Sequence, residues 1–420
     1  MDRRAFMEGT GANLAAFITA GKKLFKGNGG TASRTLAELS AIRGDFPPLE
    51  RWSYLDTAFV GLMPRQVVAA HEAFLRERHN MGPYVSDKSI LGIWLDRTNH
   101  VRKKLAAFLG AKDTEIAFTL CTACGMNIAL SAIDWRKGDN VLIDDFAYPT
   151  DFHLANRIKA KGVEVRIIKN EGGDVPAERF AARADNRTRA IVVSHVSYLN
   201  GFRHDLKALA GIVHSFGGTL IVDSAQSVGG IAVDVKKEDV DYLSGIAYKW
   251  LNGPTGVGFL YIREHLIPLT PPDRLGALAV DDFVSLETME SAPLPKTGRR
   301  FEYGTLAFES IYGLDAALDY IQAAGIRNIE ERNLKLVDMI RRELKKRNLP
   351  VLTPEGNRSP ILSFRVENER SLGKAMREKN VYVTARRWRE GHVRLSPHFY
   401  NTEKDVEKFF SVWDELSKGK

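Results

Sequence analysis

A chain of 420 residues with 44% hydrophobic and 27% charged content has an ordinary soluble globular composition and is long enough for two lobes. Its net charge of +8 comes from basic residues scattered along the whole chain, so an anionic cofactor or substrate is the expected partner and a nucleic acid is not. There is no membrane-spanning run of about 18 apolar residues. The only two cysteines, Cys121 and Cys124, exclude a disulfide framework; a C-x-x-C pair suits redox chemistry or half a zinc site, and with no second Cys/His pair at finger-like spacing zinc is disfavoured.

In chain order, residues 1–33 read as an extension. Asp2-Arg3-Arg4-Ala5-Phe6-Met7 before the apolar stretch 12–20 resembles a degenerate twin-arginine export signal. The stretch is short, contains Asn13 and lacks a small-x-small cleavage site, so a surface helix opening with a basic pair, and a cytoplasmic protein, is the preferred expectation. A flexible Gly27-Asn28-Gly29-Gly30 ends this segment, and 34–66 is expected to pack near a small C-terminal domain. From 67 to 261, helical and strand patterns alternate. Helices are predicted over 101–109, 152–161 and 206–216, and strands over 141–143, 163–168, 190–194, 219–222 and 258–262. That alternation predicts an α/β domain, 67–290, with a mostly parallel sheet covered on both faces. A Pro-, Gly- and acid-rich connection, 270–299, leads into a smaller α+β domain, 291–420. There we expect helices over 311–323 and 329–346, strands near 361–366 and 381–384, and a closing helix from about Glu403.

Open α/β sheets bind ligands at the carboxyl ends of their strands, so the polar residues just past each apolar run are the ones to examine. Asp223-Ser224-Ala225-Gln226 follows the run 219–222. A carboxylate there is costly to bury without a cationic partner, such as a pyridinium nitrogen; capping the next helix is the alternative. Lys249, in Tyr248-Lys249-Trp250-Leu251-Asn252-Gly253-Pro254, sits amid apolar and small residues. Desolvation would lower its pKa and suit it to Schiff-base chemistry, whereas a lone buried lysine more often snorkels. Cys121-Thr122-Ala123-Cys124-Gly125 opens a helix after the apolar 116–118. Free amides and a threonine hydroxyl make a candidate phosphate site there, and the two cysteines read as small residues in a tight loop.

These three sites, in this order, resemble the class V aminotransferase family of fold-type I pyridoxal-phosphate (PLP) enzymes, which includes cysteine desulfurases, isopenicillin-N-epimerase-like proteins and kynureninase. The likeness covers nearly all of the chain after Trp52. It begins with Tyr54-Leu55-Asp56-Thr57-Ala58 and Gly61-Leu62-Met63-Pro64, similar to the family's substrate-side entry segment. By this resemblance Lys249 forms the Schiff base with PLP, Asp223 keeps the pyridine nitrogen protonated, and Gln226 bonds the phenolic oxygen. Tyr148, within 145–151, stacks on the ring, and Thr122, Ala123 and Tyr248 hold the phosphate. Ser194-His195-Val196-Ser197-Tyr198 resembles the strand end lining the pocket, which makes His195 a candidate substrate contact of open role. Arg300-Phe301-Glu302-Tyr303-Gly304-Thr305 resembles the loop that reaches the partner subunit's phosphate, implying a homodimer with shared sites in which Thr305 is the contributing residue. Arg394, opening Arg394-Leu395-Ser396-Pro397-His398, matches the arginine that grips the substrate α-carboxylate, a planar task suited to a guanidinium.

Two departures matter. No cysteine follows Cys124, whereas desulfurases carry a nucleophilic one in the C-terminal lobe, so sulfur transfer through a persulfide is disfavoured. Tyr248 precedes Lys249 where desulfurases have histidine, nearer the kynureninase-like and epimerase-like branches. The expected activity is therefore that of an aminotransferase or Cβ-lyase, with an epimerase second and a desulfurase third. A nucleotide-binding oxidoreductase lacks its motif, since Gly9-Thr10-Gly11 has neither preceding strand nor third glycine.

Overall fold

The computed structural model describes residues 42–85, 88–280, 293–387 and 390–418. The Arg3-Arg4 segment and the expected boundary near 290 lie outside them. The centre of the fold is a seven-stranded sheet of β1 (Ile116–Thr119), β2 (Asn140–Asp144), β3 (Glu164–Ile168), β4 (Thr188–Ser194), β5 (Thr219–Asp223), β6 (Tyr242–Ile246) and β7 (Gly258–Ile262). Its order is β1-β7-β6-β5-β4-β2-β3. Only β7 runs against its neighbours, pairing antiparallel with both β1 and β6, so the sheet is mostly parallel.

Both faces are covered. Along β5, Leu220 and Val222 enter one apolar core and Ile221 enters the other, as the two-residue period of a strand requires. The covering helices are α1 (Arg65–Asn80), α2 (Ile90–Leu109), α3 (Thr122–Ser131), α4 (Pro149–Ile158), α5 (Leu206–His214) and α6 (Phe308–Ala324). Capping explains several boundaries. Ser89 accepts from Gly92 N (3.1 Å) at the start of α2, and Asp205 accepts from Ala208 N (3.0 Å) at the start of α5. α2 stops at Gly110, whose φ of 70° is the left-handed cap that a glycine adopts without strain.

A second core joins α7 (Ile326–Lys346), α8 (Glu369–Glu378) and α9 (Glu403–Lys418) to a three-stranded antiparallel sheet of β8 (Leu362–Arg365), β9 (Thr384–Arg387) and β10 (Gly391–Leu395). Leu55 of the N-terminal segment enters this core, because Ser53-Tyr54 pairs in parallel with Val381-Tyr382. The same segment then crosses to the large sheet, where Gly61 N donates to Tyr248 O (2.9 Å). A β-carbon at Gly61 would overlap the Lys249 carbonyl, so only glycine allows this approach.

Two differences from the sequence reading are informative. α2 begins at Ile90 rather than near 101, because its first turns pack Trp94 against Phe74 and Phe308 instead of the main core. β6 was not anticipated: Tyr242-Leu243-Ser244-Gly245-Ile246 is interrupted by Ser and Gly, yet all five residues are buried. No helix among the described residues is long and apolar enough to cross a membrane.

Candidate active site

The ends of β4 and β5, the turn into α3 and the segment after β6 converge on a cavity of about 250 Å³. Thr122, Ala123, Tyr148, Asp223, Gln226, Tyr248 and Lys249, drawn from four separate stretches of chain, all line it. Cys121, Thr150, Ser194 and Tyr198 are also part of its wall.

Lys249 follows β6 and is 9% exposed. Burial pulls its ammonium down from 10.5 to about 8; the Asp223 carboxylate opposes that shift, and the Arg394 and Arg386 guanidinium groups reinforce it. Its Nζ lies 5.9 Å from the Tyr148 ring centre and 5.8 Å from that of Tyr248. Asp223, the last residue of β5, accepts from Ala225 N (2.8 Å), and burial raises its carboxyl above the usual range against the pull of Lys249. Tyr148 caps α4 and meets Tyr198 edge-on at 5.1 Å. The Gln226 carboxamide is oriented by Trp250 Nε1, which donates to its Oε1 (2.8 Å), while its own Nε2 donates to Ala58 O (2.9 Å). That leaves one N–H of Gln226 for a ligand.

α3 opens directly on the cavity, and its first amides have no carbonyl within the helix to reach. Ser244 Oγ donates to Thr122 O (2.9 Å), which fixes this turn on β6.

Other expected site residues stand apart from the lining. Arg394 is 2% exposed on β10, and its Nη1 donates to Tyr198 O (2.8 Å). Its Nη2 donates to Asp56 Oδ1 (3.2 Å) and Thr384 Oγ1 (3.0 Å). His195 is buried beside β5, its backbone N donating to Asp223 O (2.9 Å), and burial holds its ring well below the usual histidine range. Thr305 is exposed on a loop anchored by Glu302, which accepts from Phe118 N (2.6 Å) and from Arg102 Nη2 (3.0 Å).

Sequence reasoning missed three charged groups. Arg386 on β9 stacks over the Tyr198 ring (5.1 Å), and its Nε and Nη2, like Nε of Arg394, are buried with no hydrogen-bond partner among the described residues. Asp56 is the carboxylate that pairs with Arg394. Asp151, on the first turn of α4, is fully buried with neither carboxyl oxygen hydrogen-bonded. Burial, then the nearby Asp223 and Asp144 charges, push it well above the usual carboxylate range. An Asp three residues past a cap is a common surface arrangement, so no local signal marked it.

The class-V aminotransferase family model matches residues 53–409. The chain belongs to the class-V aminotransferase family. It is 29% identical over 399 residues to a probable cysteine desulfurase of Methanothermobacter thermautotrophicus, covering 90% of this chain and 97% of that one. It is 30% identical over 398 residues to a probable cysteine desulfurase of Pyrococcus abyssi, with 90% and 97% covered. The apo structure of a cysteine desulfurase from Thermococcus onnurineus NA1 superposes with a TM-score of 0.84 at 27% identity, covering 93% of this chain and all of that one. The protein is thus a PLP-dependent enzyme of fold type I.

The cavity fits that cofactor. A weakly basic buried amine, a buried carboxylate with capacity for a ring N–H, and a helix start with open amides face one volume.

Proposed function

We propose that this class-V enzyme acts on an amino acid as an aminotransferase or Cβ-lyase, with Lys249 as its catalytic residue. The observation that carries the reading is the depressed Lys249 amine facing the buried Asp223 across one cavity. Lys249 would hold PLP covalently, Asp223 would meet the ring nitrogen, and Gln226 would donate its remaining N–H to the phenolic oxygen. Tyr148 would lie against the ring, with Thr122, Ala123 and Tyr248 at the phosphate. When bound, PLP supplies an electron sink for negative charge developing at the substrate Cα.

The chain's own groups do the rest. The free Lys249 amine would take the Cα proton, and a pKa near 8 lets it act as base and then as acid around neutrality. The substrate carboxylate would be met by the Nε of Arg394, buried behind the cavity wall, whose other nitrogens are tied to Asp56, Thr384 and the Tyr198 carbonyl, so the guanidinium is pre-set before substrate arrives. Tyr148 and Tyr198, meeting edge-on, form one aromatic wall of the cavity beside Lys249.

Relatives named as cysteine desulfurases favour the Cβ-elimination branch, in which the Cβ–S bond breaks. The absence of any cysteine after Cys124 argues against the persulfide-forming version of that chemistry. An epimerase, returning the proton to Cα from the other face, is the runner-up. A shared-site homodimer goes with this reading: Thr305 projects outward from a loop held rigidly by Glu302 and Arg102, and Phe59, Met63, Val68 and Leu75 leave an apolar surface around the entry to α1. Cytoplasmic residence also goes with it.

The test is to add a panel of amino acids to the PLP-loaded protein while recording its visible spectrum and assaying ketoacid, ammonia and sulfide. Ketoacid with aminated cofactor identifies an aminotransferase, and ketoacid with ammonia or sulfide a lyase. Racemised substrate alone would overturn both.

A further inference from the structure

We propose that Cys121 and Cys124 form a thiol–disulfide exchange site for low-molecular-weight disulfides, built into the wall of the cofactor cavity. Both cysteines are free and half-buried, and their sulfurs lie 3.4 Å apart across the turn that opens α3. A disulfide needs about 2.05 Å, so a shift of roughly 1.4 Å, within reach of small side-chain rotations, would join them. The backbone supports the approach. Cys124 N donates to Cys121 O (3.1 Å), and Thr119 Oγ1 donates to the same carbonyl (3.1 Å), so the two residues are already held in one tight turn.

The two thiols are unequal. The two thiols share a hydrogen bond, which with the amides at the helix start pulls Cys121 below the ordinary thiol value. Cys124 is pushed up by the same bond, by burial and by the Cys121 charge. Cys121 lines the cavity and Cys124 does not, so Cys121 is the sulfur that meets a small disulfide and attacks it. In the first step Cys121 Sγ attacks one sulfur of a small disulfide RSSR, its S–S bond breaks, and RS⁻ leaves and takes a proton from solvent. In the second, Cys124 gives its proton to solvent and attacks Cys121 Sγ, expelling the other RS⁻. Two protein thiols are oxidised, and RSSR is reduced to two RSH.

The consequence for the cofactor rests on the proposed phosphate position at Thr122 and Ala123. Both lie between the cysteines, and Thr122 is pinned to β6 by Ser244. Cys121 lines the same cavity, so PLP bound with its phosphate there should shield Cys121 from a small disulfide.

The test treats the full-length protein, PLP-loaded and PLP-free, with 2-hydroxyethyl disulfide, quenches it with N-ethylmaleimide, and reads intact and peptide masses. Wild type should form an internal disulfide, reversed by dithiothreitol. Cys124→Ser should accumulate one mixed disulfide on Cys121, and Cys121→Ser should react at least ~10-fold more slowly at neutral pH. The PLP-loaded protein should react more slowly than the PLP-free one. Wild type that keeps both thiols open to maleimide, or single variants that react at equal rates, would overturn the exchange site. A disulfide that forms equally fast with and without PLP would uphold the exchange site and refute the phosphate position instead.

Discussion

If Lys249 is the amine that captures the cofactor, the pH at which it does so is set by the cavity rather than by lysine chemistry in water. Moving the ammonium from 10.5 to about 8 raises its neutral, nucleophilic fraction at pH 7 about 300-fold. The rate at which PLP-free protein forms its covalent adduct should therefore rise about tenfold per pH unit and level off near pH 8. Asp223 opposes the depression, so Asp223→Asn should move the inflection lower, whereas Arg386→Leu, which removes a repelling cation, should move it higher. The assay mixes PLP with cofactor-free protein over roughly pH 6 to 11, traps the adduct with borohydride and counts it by intact mass, with Lys249→Ala as the blank. The same depression has a stability signature. Between about 8 and 10.5 the unfolded chain holds a proton that the folded one has released, so the PLP-free protein gains stability as pH rises through that window. Lys249→Met should lack that gain. An inflection near the ordinary lysine value, or one unmoved by Asp223→Asn, would refute the desolvated-amine reasoning.

Arg394→Lys keeps the charge but loses the planar fork, and should raise KM for the amino acid at least ~10-fold with PLP retained. Arg394→Ala strands the buried Asp56 and should cost about 3–5 kcal/mol in denaturant unfolding. Thr305→Ala should loosen PLP, and mixing inactive Lys249→Ala with inactive Thr305→Arg should restore activity in heterodimers; formed heterodimers without activity would mean that Thr305 serves its own subunit. Asp151, pushed well above the usual carboxylate range, should cost wild type stability as pH rises from about 3.8 through its folded value. Asp151→Asn should abolish that loss in a pH series of unfolding midpoints, and an unchanged pH slope would show that Asp151 is not held protonated.

What the sequence by itself determined is what local spacing encodes. An apolar run of strand length ending in Asp223, a lysine among small and apolar residues, and a hydroxyl-bearing helix start each announce themselves within about ten residues. Because such strands lie parallel, their carboxyl ends share one edge of the sheet, and Thr122 and Asp223 meet there on local spacing alone, whereas Tyr148 is assigned by the family resemblance and Lys249 follows β6. β6 escaped because its Ser244 and Gly245 break the apolar run, and their burial depends on neighbours that sequence spacing does not name. The charged second tier was likewise decided only by tertiary structure. Arg386 reaches Tyr198 because β9 pairs with β10 in the register Thr384↔Arg394, and Asp56 reaches Arg394 because the N-terminal segment docks beside Val381. Which side chains end up facing each other depends on the register of such pairings, and Asp56 and Arg394 lie 338 residues apart. Whether each charge is then matched, or left open for a ligand, is fixed by burial that only the assembled fold creates.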